Sequence, residues 1–147
     1  MPDDAYVVDT GVLVRWFIPQ DGFEHAHEVR DHLLAGRLSL ETVDFVRVEL
    51  ANVLRKKGLL PARLDRDQFL SAVRSVDDLG VVVHGTDVEA LERAAALAAD
   101  RRLAVYDALL AHRALDRDLP LLTADAALCR AVQGLVSTEL LRGIQTG

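Results

Sequence analysis

Ala5-Tyr6-Val7-Val8-Asp9-Thr10-Gly11 is a short apolar, β-rich run that ends on an acidic residue and a turn. It reads as a buried strand followed by a helix cap. Helical and strand patterns alternate downstream. A short helix over 12–17 is ended by Pro19, and a helix over 24–35 is closed by Gly36. Leu38-Ser39-Leu40 reads as a second strand, and 44–57 as a helix with Gly58 at its C-cap. A further helix covers 65–76, and 80–84 is the clearest strand. Thr86-Asp87 caps a helix over 88–100, and Tyr106-Asp107 opens one that reaches Arg117. A strand over 119–123, a short helix over 126–132 and a last strand at Leu135-Val136-Ser137 complete the pattern. The strands are apolar throughout rather than alternating, as in a parallel sheet covered on both faces. The expected architecture is therefore α/β and three-layered, with a central parallel sheet of four to five strands flanked by helices. Ligands in such folds bind beyond the carboxyl ends of the strands, near the point where strand order reverses.

The chain has 147 residues, so one domain over 1–147 is expected. Half of the residues are apolar and 27% are charged, as in an ordinary soluble globular protein. Disorder, collagen and coiled coil are excluded. A formal net charge of −6 argues against a nucleic-acid coat, but it leaves room for an enzyme with a local basic rim. Cys129 is the only cysteine, so no internal disulfide can form, and a reducing cytoplasm is expected. No apolar run approaches the length of a membrane helix. Met1-Pro2-Asp3-Asp4 is acidic and lacks the basic start of a secretion signal.

The residues just after the strands carry the chemistry. Asp9 directly follows Val7-Val8, Asp107 opens a helix after Leu103-Ala104-Val105, and Asp125 follows Leu121-Leu122-Thr123 by one residue. Each could serve only as a helix N-cap, a position that Asp favours. Glu49 is harder to absorb. It lies three residues after Val46, four after Phe45 and four before Val53, on the apolar stripe of its helix. A carboxylate on a core-facing stripe costs free energy unless it is paired or binds a metal. The alternative is a rim position turned toward water, Arg47 or Arg55. Three Asp and one Glu make a set of hard oxygen ligands that suits Mg²⁺ or Mn²⁺ rather than zinc. Ionised carboxylates gathered together repel one another, and a cation resolves that repulsion. A divalent ion held by carboxylates fits phosphoryl transfer.

Four motifs resemble those of PIN-domain ribonucleases. Val7-Val8-Asp9-Thr10-Gly11-Val12-Leu13-Val14-Arg15-Trp16-Phe17 looks like the family's opening strand and turn. Val48-Glu49-Leu50-Ala51-Asn52-Val53-Leu54 looks like its acidic helix. Val105-Tyr106-Asp107-Ala108-Leu109-Leu110-Ala111 and Leu121-Leu122-Thr123-Ala124-Asp125 look like its third and fourth acidic motifs. Their order and spacing cover residues 5–137, and a stand-alone domain of this size most resembles VapC-type toxins of type II toxin–antitoxin pairs. The resemblance implies a PIN-like fold and endoribonuclease cleavage of RNA phosphodiester bonds that depends on Mg²⁺ or Mn²⁺. It further implies a homodimer and inhibition by a small cognate antitoxin. By position it makes Asp9 and Asp107 the most direct metal ligands. Glu49 and Asp125 complete the acidic catalytic pocket, Asp125 directly or through water. Thr10 and Thr123 orient carboxylates or water. The Asn52 amide, one turn from Glu49, either holds that carboxylate or is a polar surface position. One position departs from the family pattern. Where many relatives have a proline and a small residue, this chain has Thr42-Val43-Asp44-Phe45. Asp44 is expected to cap the next helix; the alternative is an enlarged acidic pocket.

Basic residues flank the acidic motifs. Arg15, Arg47 and Arg55, with Lys56, Lys57, Arg101, Arg102 and Arg113, could form a rim for RNA phosphates. Arg55-Lys56-Lys57 equally suits the negative end of a helix dipole. Trp16 and Phe17 are candidates for an antitoxin groove, with core packing as the alternative. His25, His27 and His32 read as a solvated helix face, because their spacing is no metal motif. A haloacid-dehalogenase phosphatase is excluded by Gly11, which stands where a second Asp is needed. A response-regulator receiver is excluded because both lysines, Lys56 and Lys57, lie in one helix. No Gly-rich phosphate loop occurs. A PIN-type nuclease of RNA processing or DNA structure without an antitoxin, and a catalytically silent binding module, stay open. Retention of all four acids counts against the silent module.

Overall fold

Val7 and Val8 are both wholly buried, although successive residues of a strand point to opposite faces of its sheet. Both faces are therefore covered, and Leu121 and Leu122 repeat the arrangement. The structure is a computed structural model and describes residues 4–145. Among them β1 (Asp4–Val8), β2 (Leu38–Val43), β3 (Val82–His84), β4 (Leu121–Thr123) and β5 (Thr138–Leu140) form one parallel sheet in the order β3-β2-β1-β4-β5. The helices are α1 (Thr10–Val14), α2 (Phe23–Leu34), α3 (Phe45–Leu54), α4 (Arg66–Asp78), α5 (Val88–Arg101), α6 (Val105–Arg117) and α7 (Ala126–Ala131). A π-helical turn, Arg55–Leu59, continues α3. The expected three-layer α/β architecture is observed, with five strands. Met1-Pro2-Asp3, read above as unlike a secretion signal, lies outside the described residues. Among the described residues no helix is long and apolar enough to cross a membrane.

The topology locates a site before any side chain is considered. From β1 the chain steps outward through β2 to β3, then returns to the other side of β1 for β4 and β5. Strand order thus reverses between β1 and β4, whose paired residues are Val7 with Leu121 and Val8 with Leu122. The crevice beyond the ends of these two strands is where such folds bind ligands. It is walled by α3 and α6. On α3, Val46, Leu50 and Leu54 are fully buried at successive fours, each contributing about 2 kcal/mol of apolar burial. The α5–α6 contact is made of small residues, with Ala94, Ala98, Ala108 and Leu109 in one cluster, which lets the two helices approach closely.

Several local expectations are corrected. Gly58 does not cap α3 but lies inside the π turn. A Cβ there would stand 2.7 Å from Leu64 Cδ1, so close approach rather than a left-handed cap explains the glycine. The last strand forms at Thr138–Leu140 rather than at 135–137. The Leu121 N–H reaches Ser137 O at 2.9 Å, so pairing with β4, not apolarity, sets its start. Asp44 makes no side-chain cap to α3. Its carboxylate instead accepts from the Thr86 N–H at 3.1 Å and the Thr86 hydroxyl at 2.6 Å, clamping the β3–α5 loop.

Thr42 is wholly buried on β2, and its hydroxyl donates to Val8 O at 2.7 Å, fixing the end of β1. Thr42→Val keeps the shape and removes the donor. Stability should fall by about 1–2 kcal/mol, seen as a lower urea midpoint at unchanged slope.

Candidate active site

Asp9 is the first residue after β1 and the N-cap of α1; its Oδ1 accepts from the Val12 N–H at 3.2 Å. Its Oδ2 accepts from the hydroxyl of Thr123, the last residue of β4. Thr123 Oγ in turn accepts from the Asp125 N–H at 3.0 Å. A chain of hydrogen bonds therefore crosses the crevice between β1 and β4. Asp125 caps α7 with its Oδ1, which accepts from the N–H groups of Ala127 at 2.9 Å and Leu128 at 3.2 Å. For Asp9 and Asp125, cap and site are the same carboxylate. Asp107 is different: it sits in the first turn of α6, whose N-cap is Ala104. A cap does not explain it.

One cavity of about 350 Å³ is lined by Asp9, Glu49, Asp107 and Asp125 together with Thr10, Gly11, Arg15 and Lys57. Gln20, Phe45, Tyr106, Leu110 and Ala124 complete the wall. Four acids spread over 117 positions of sequence are thus gathered at the strand-order reversal. Gly11 makes the gathering possible. A Cβ on it would lie 3.2 Å from Ala124 Cβ and 3.5 Å from Asp9 Oδ1, where the β1–α1 and β4–α7 turns meet.

Glu49 takes the rim alternative rather than the buried stripe. It is exposed, at the rim of the cavity, while Val46, Leu50 and Leu54 take the core side of α3. Thr123 reaches the site through its bond to Asp9, and Thr10 lines the cavity with a buried hydroxyl that has no partner among the described residues. Asn52 is exposed, outside the cavity lining, and among the described residues makes no hydrogen bond to Glu49. Of the arginines singled out, only Arg15 lines the cavity. Its guanidinium donates to Gly11 O at 2.8 Å and Asp21 O at 2.6 Å. Arg47 is committed to Asp77, and Arg55 is exposed away from the lining.

Trp16 takes the core alternative. It is buried, with its indole N–H donating to Ala26 O at 2.9 Å, and Phe17 packs half-buried against the core. The solvated-face reading fails for His25, which is buried and accepts the Arg142 N–H at 2.8 Å on Nδ1. Sequence reasoning gave Gln20, Phe45 and Tyr106 no place at the site. Of the Arg55-Lys56-Lys57 run named for a phosphate rim, Lys57 alone lines the cavity, carried there on the π turn.

The electrostatics follow from crowding. Burial pushes the Asp9 carboxyl up to about 6, aided by Asp125, while the Thr123 and Val12 donors and Arg15 pull it back. Asp107 is also raised, first by burial and then by Asp125 and Glu49. The donors are all oxygens, two of the carboxylates are displaced toward their neutral forms, and a buried hydroxyl in the wall is unpartnered among the described residues. This set suits a hard divalent cation in its chemistry. Among the described residues, no three acidic or His/Cys side chains already stand close enough together to hold one.

A family model for the PIN domain matches residues 6–133 of the chain. A comparison with curated protein sequences returns no match. Among solved structures, the chain is similar to VapBC-5 from Mycobacterium tuberculosis, a member of the VapBC family of toxin–antitoxin systems. The identity is 25% and the TM-score 0.50, over 94% of this chain and 98% of that one. It is also similar to Mycobacterium tuberculosis VapC20, a sarcin–ricin loop cleaving toxin, at 17% identity and TM-score 0.66, over 89% and 96% of the two chains. PAE2754 from Pyrobaculum aerophilum matches at 24% identity and TM-score 0.60, over 91% and 90%. These last two likenesses speak for the fold alone.

The raised Asp9 carboxyl has a measurable sign. Its folded value of about 6 exceeds the ordinary 3.8, so folding favours the protonated form. That stabilisation is complete below about pH 4 and is lost as pH rises through about 6. In EDTA, Asp9→Asn should therefore raise stability at about pH 8, by at most about 3 kcal/mol, and the gain should vanish toward about pH 4. Paired urea melts across this range measure it.

Proposed function

The chain belongs to the PIN-domain family, and we propose that it is a divalent-metal-dependent endoribonuclease acting as the toxin of a toxin–antitoxin pair. The observation that carries this reading is the convergence of Asp9, Glu49, Asp107 and Asp125 on one cavity at the strand-order reversal. Its likeness to a VapBC member at 25% identity supports the toxin class. Asp9, Asp107, Glu49 and Asp125 would hold Mg²⁺ or Mn²⁺, which supplies positive charge against the scissile phosphate and makes water more acidic.

The chain's own residues do the positioning. Thr123 fixes the Asp9 carboxylate by donating to one oxygen, and the Val12 N–H fixes the other. The α7 N-terminus orients Asp125 through two N–H groups. Arg15 is held by two carbonyl oxygens and keeps a cation beside Asp9. Asn52 and Arg55 are given no role at the cavity, and Arg47 serves Asp77. The reading extends to a single PIN domain that works as a homodimer in the cytoplasm. The free thiol of Cys129 suits that compartment, and exposed Val48, Val88 and Leu91 supply apolar surface for a second copy.

Asp9→Asn and Asp107→Asn should each reduce RNA cleavage by at least about 100-fold while the fold is retained. EDTA should abolish the wild-type cleavage, and added Mg²⁺ or Mn²⁺ should restore it. Undiminished cleavage by both variants, or in excess EDTA, refutes the mechanism. RNA profiling after induced expression of wild type and Asp9→Asn tests the same reading in cells.

The antitoxin is expected to neutralise the four acids with a basic side chain while a helix covers the cavity mouth. Its affinity should then fall in the presence of Mn²⁺ and on Glu49→Gln or Asp125→Asn, as titration calorimetry would show. A tight partner indifferent to all of these inhibits elsewhere.

A further inference from the structure

Of the seven aromatic residues in the chain, six are buried or half-buried. Tyr106 is the exception, at 60% exposed. It stands in the first turn of α6, immediately before Asp107, and lines the same cavity as the acids. A ring left in water forgoes the apolar burial that such side chains normally gain. It is nevertheless held in place. Tyr106 lies on Phe45, with ring centroids 5.1 Å apart and planes tilted by 52°, and Phe45 packs against the core. One edge of the cavity is thus a supported aromatic face open to solvent.

The rest of the cavity wall decides what that face is for. It is mostly polar, with acids beside two cations, Arg15 and Lys57. The Lys57 ammonium lies 3.4 Å from Gln20 Oε1 and joins no ion pair among the described residues. An aromatic face, a cluster of acids and an uncommitted cation in one cavity match the parts of a nucleotide chain: base, scissile phosphodiester and flanking phosphate. Stacking on a side chain requires a base that is out of its duplex, and it tolerates any base because every base has a π face.

We propose that Tyr106 stacks on an unpaired nucleobase beside the phosphodiester bond cleaved in the acidic cavity. The cut then falls in single-stranded RNA at a fixed step from that base. The proposal rests on the ribonuclease reading above. Tyr106 acts on binding and register, while the acids beside it carry the hydrolysis.

The test compares wild type, Tyr106→Phe and Tyr106→Leu on short single-stranded RNAs of mixed sequence, in Mg²⁺, with one base at a time removed to leave an abasic sugar. For the wild type, loss of one particular base should lower kcat/KM by roughly 5- to 100-fold, mainly through KM. Tyr106→Leu should lose a similar factor on intact RNA and become indifferent to that base, whereas Tyr106→Phe should behave as wild type. With 2-aminopurine at that position, fluorescence should be quenched on binding to wild type in EDTA and not on binding to Tyr106→Leu. If Tyr106→Leu cleaves intact RNA like wild type, or still senses the missing base, the proposal is overturned. It is equally overturned if Tyr106→Leu leaves RNA kinetics unchanged and weakens only a protein partner, since the ring then serves that contact. Failure of folded wild type to cut any RNA removes the ribonuclease reading and this one with it. Cleavage that needs Asp107 but not the Tyr106 ring removes this one alone. Because Tyr106 is exposed, both variants should fold, and circular dichroism checks that they do.

Discussion

The hydroxyl of Thr123 joins two strand ends that lie 114 residues apart in the chain. It donates to Asp9 and accepts from the N–H of Asp125, so a single oxygen sets the spacing of two acids across the sheet. The two carboxylates are held by their own helix N-termini and tied across the sheet by that hydroxyl. Held in place, they are crowded and partly desolvated, which is why Asp9 resists ionising. The fold thus stores unfavourable charge at the point where strand order reverses. It offsets the cost with a buried sheet whose central strand has apolar residues on both faces.

The distribution of cations follows the same logic. The chain is acidic as a whole, yet among the described residues its ion pairs are made by residues outside the cavity lining. Arg47 serves Asp77, Arg142 serves Glu28, and Arg113 serves Asp116. Glu41 is nearly buried on β2, and burial alone would push its carboxyl up. Arg117 at 2.8 Å and His84 at 2.6 Å hold it below the usual carboxylate range instead. The Glu41 pairs tie β2 to β3 and to α6. Arg15 and Lys57, in contrast, face the acids without a carboxylate partner in direct contact. Position relative to a strand end, rather than overall charge, separates structural cations from those available to an anionic ligand.

Much of this was readable in the residues themselves. Consecutive apolar residues such as Val7-Val8 can be satisfied only by cover on both faces, so the layered parallel sheet followed from pattern alone. Asp9 and Asp125 could be located because strand ends are few and each follows one, whereas Asp107 follows the α5–α6 loop rather than a strand. Other features had no local signature. Glu49 sits on a helix whose apolar positions run around more than one face, and only packing against α1, α4 and β2 decides which face turns inward. The π turn at 55–59 depends on Leu64 folding back over Gly58, a contact between positions that periodicity does not relate. Asp44 found a donor in Thr86, some 42 residues away, in preference to its own helix. The edge strand at Thr138–Leu140 took its register from β4, since three half-exposed residues carry little pattern of their own.

The strand order also fixes a sequence in time. A ribosome releases β1, β2 and β3 long before β4, yet β1 is completed as a central strand only when β4 pairs along its other edge. Until Leu121–Thr123 has been made, Asp9 lacks its Thr123 donor and the cavity lacks the wall that carries Asp125. A nascent chain therefore exposes three of the acids without the geometry that unites them. Assembly of the site is delayed by topology itself, because the slowest, most non-local pairing in the sheet is the one on which it depends.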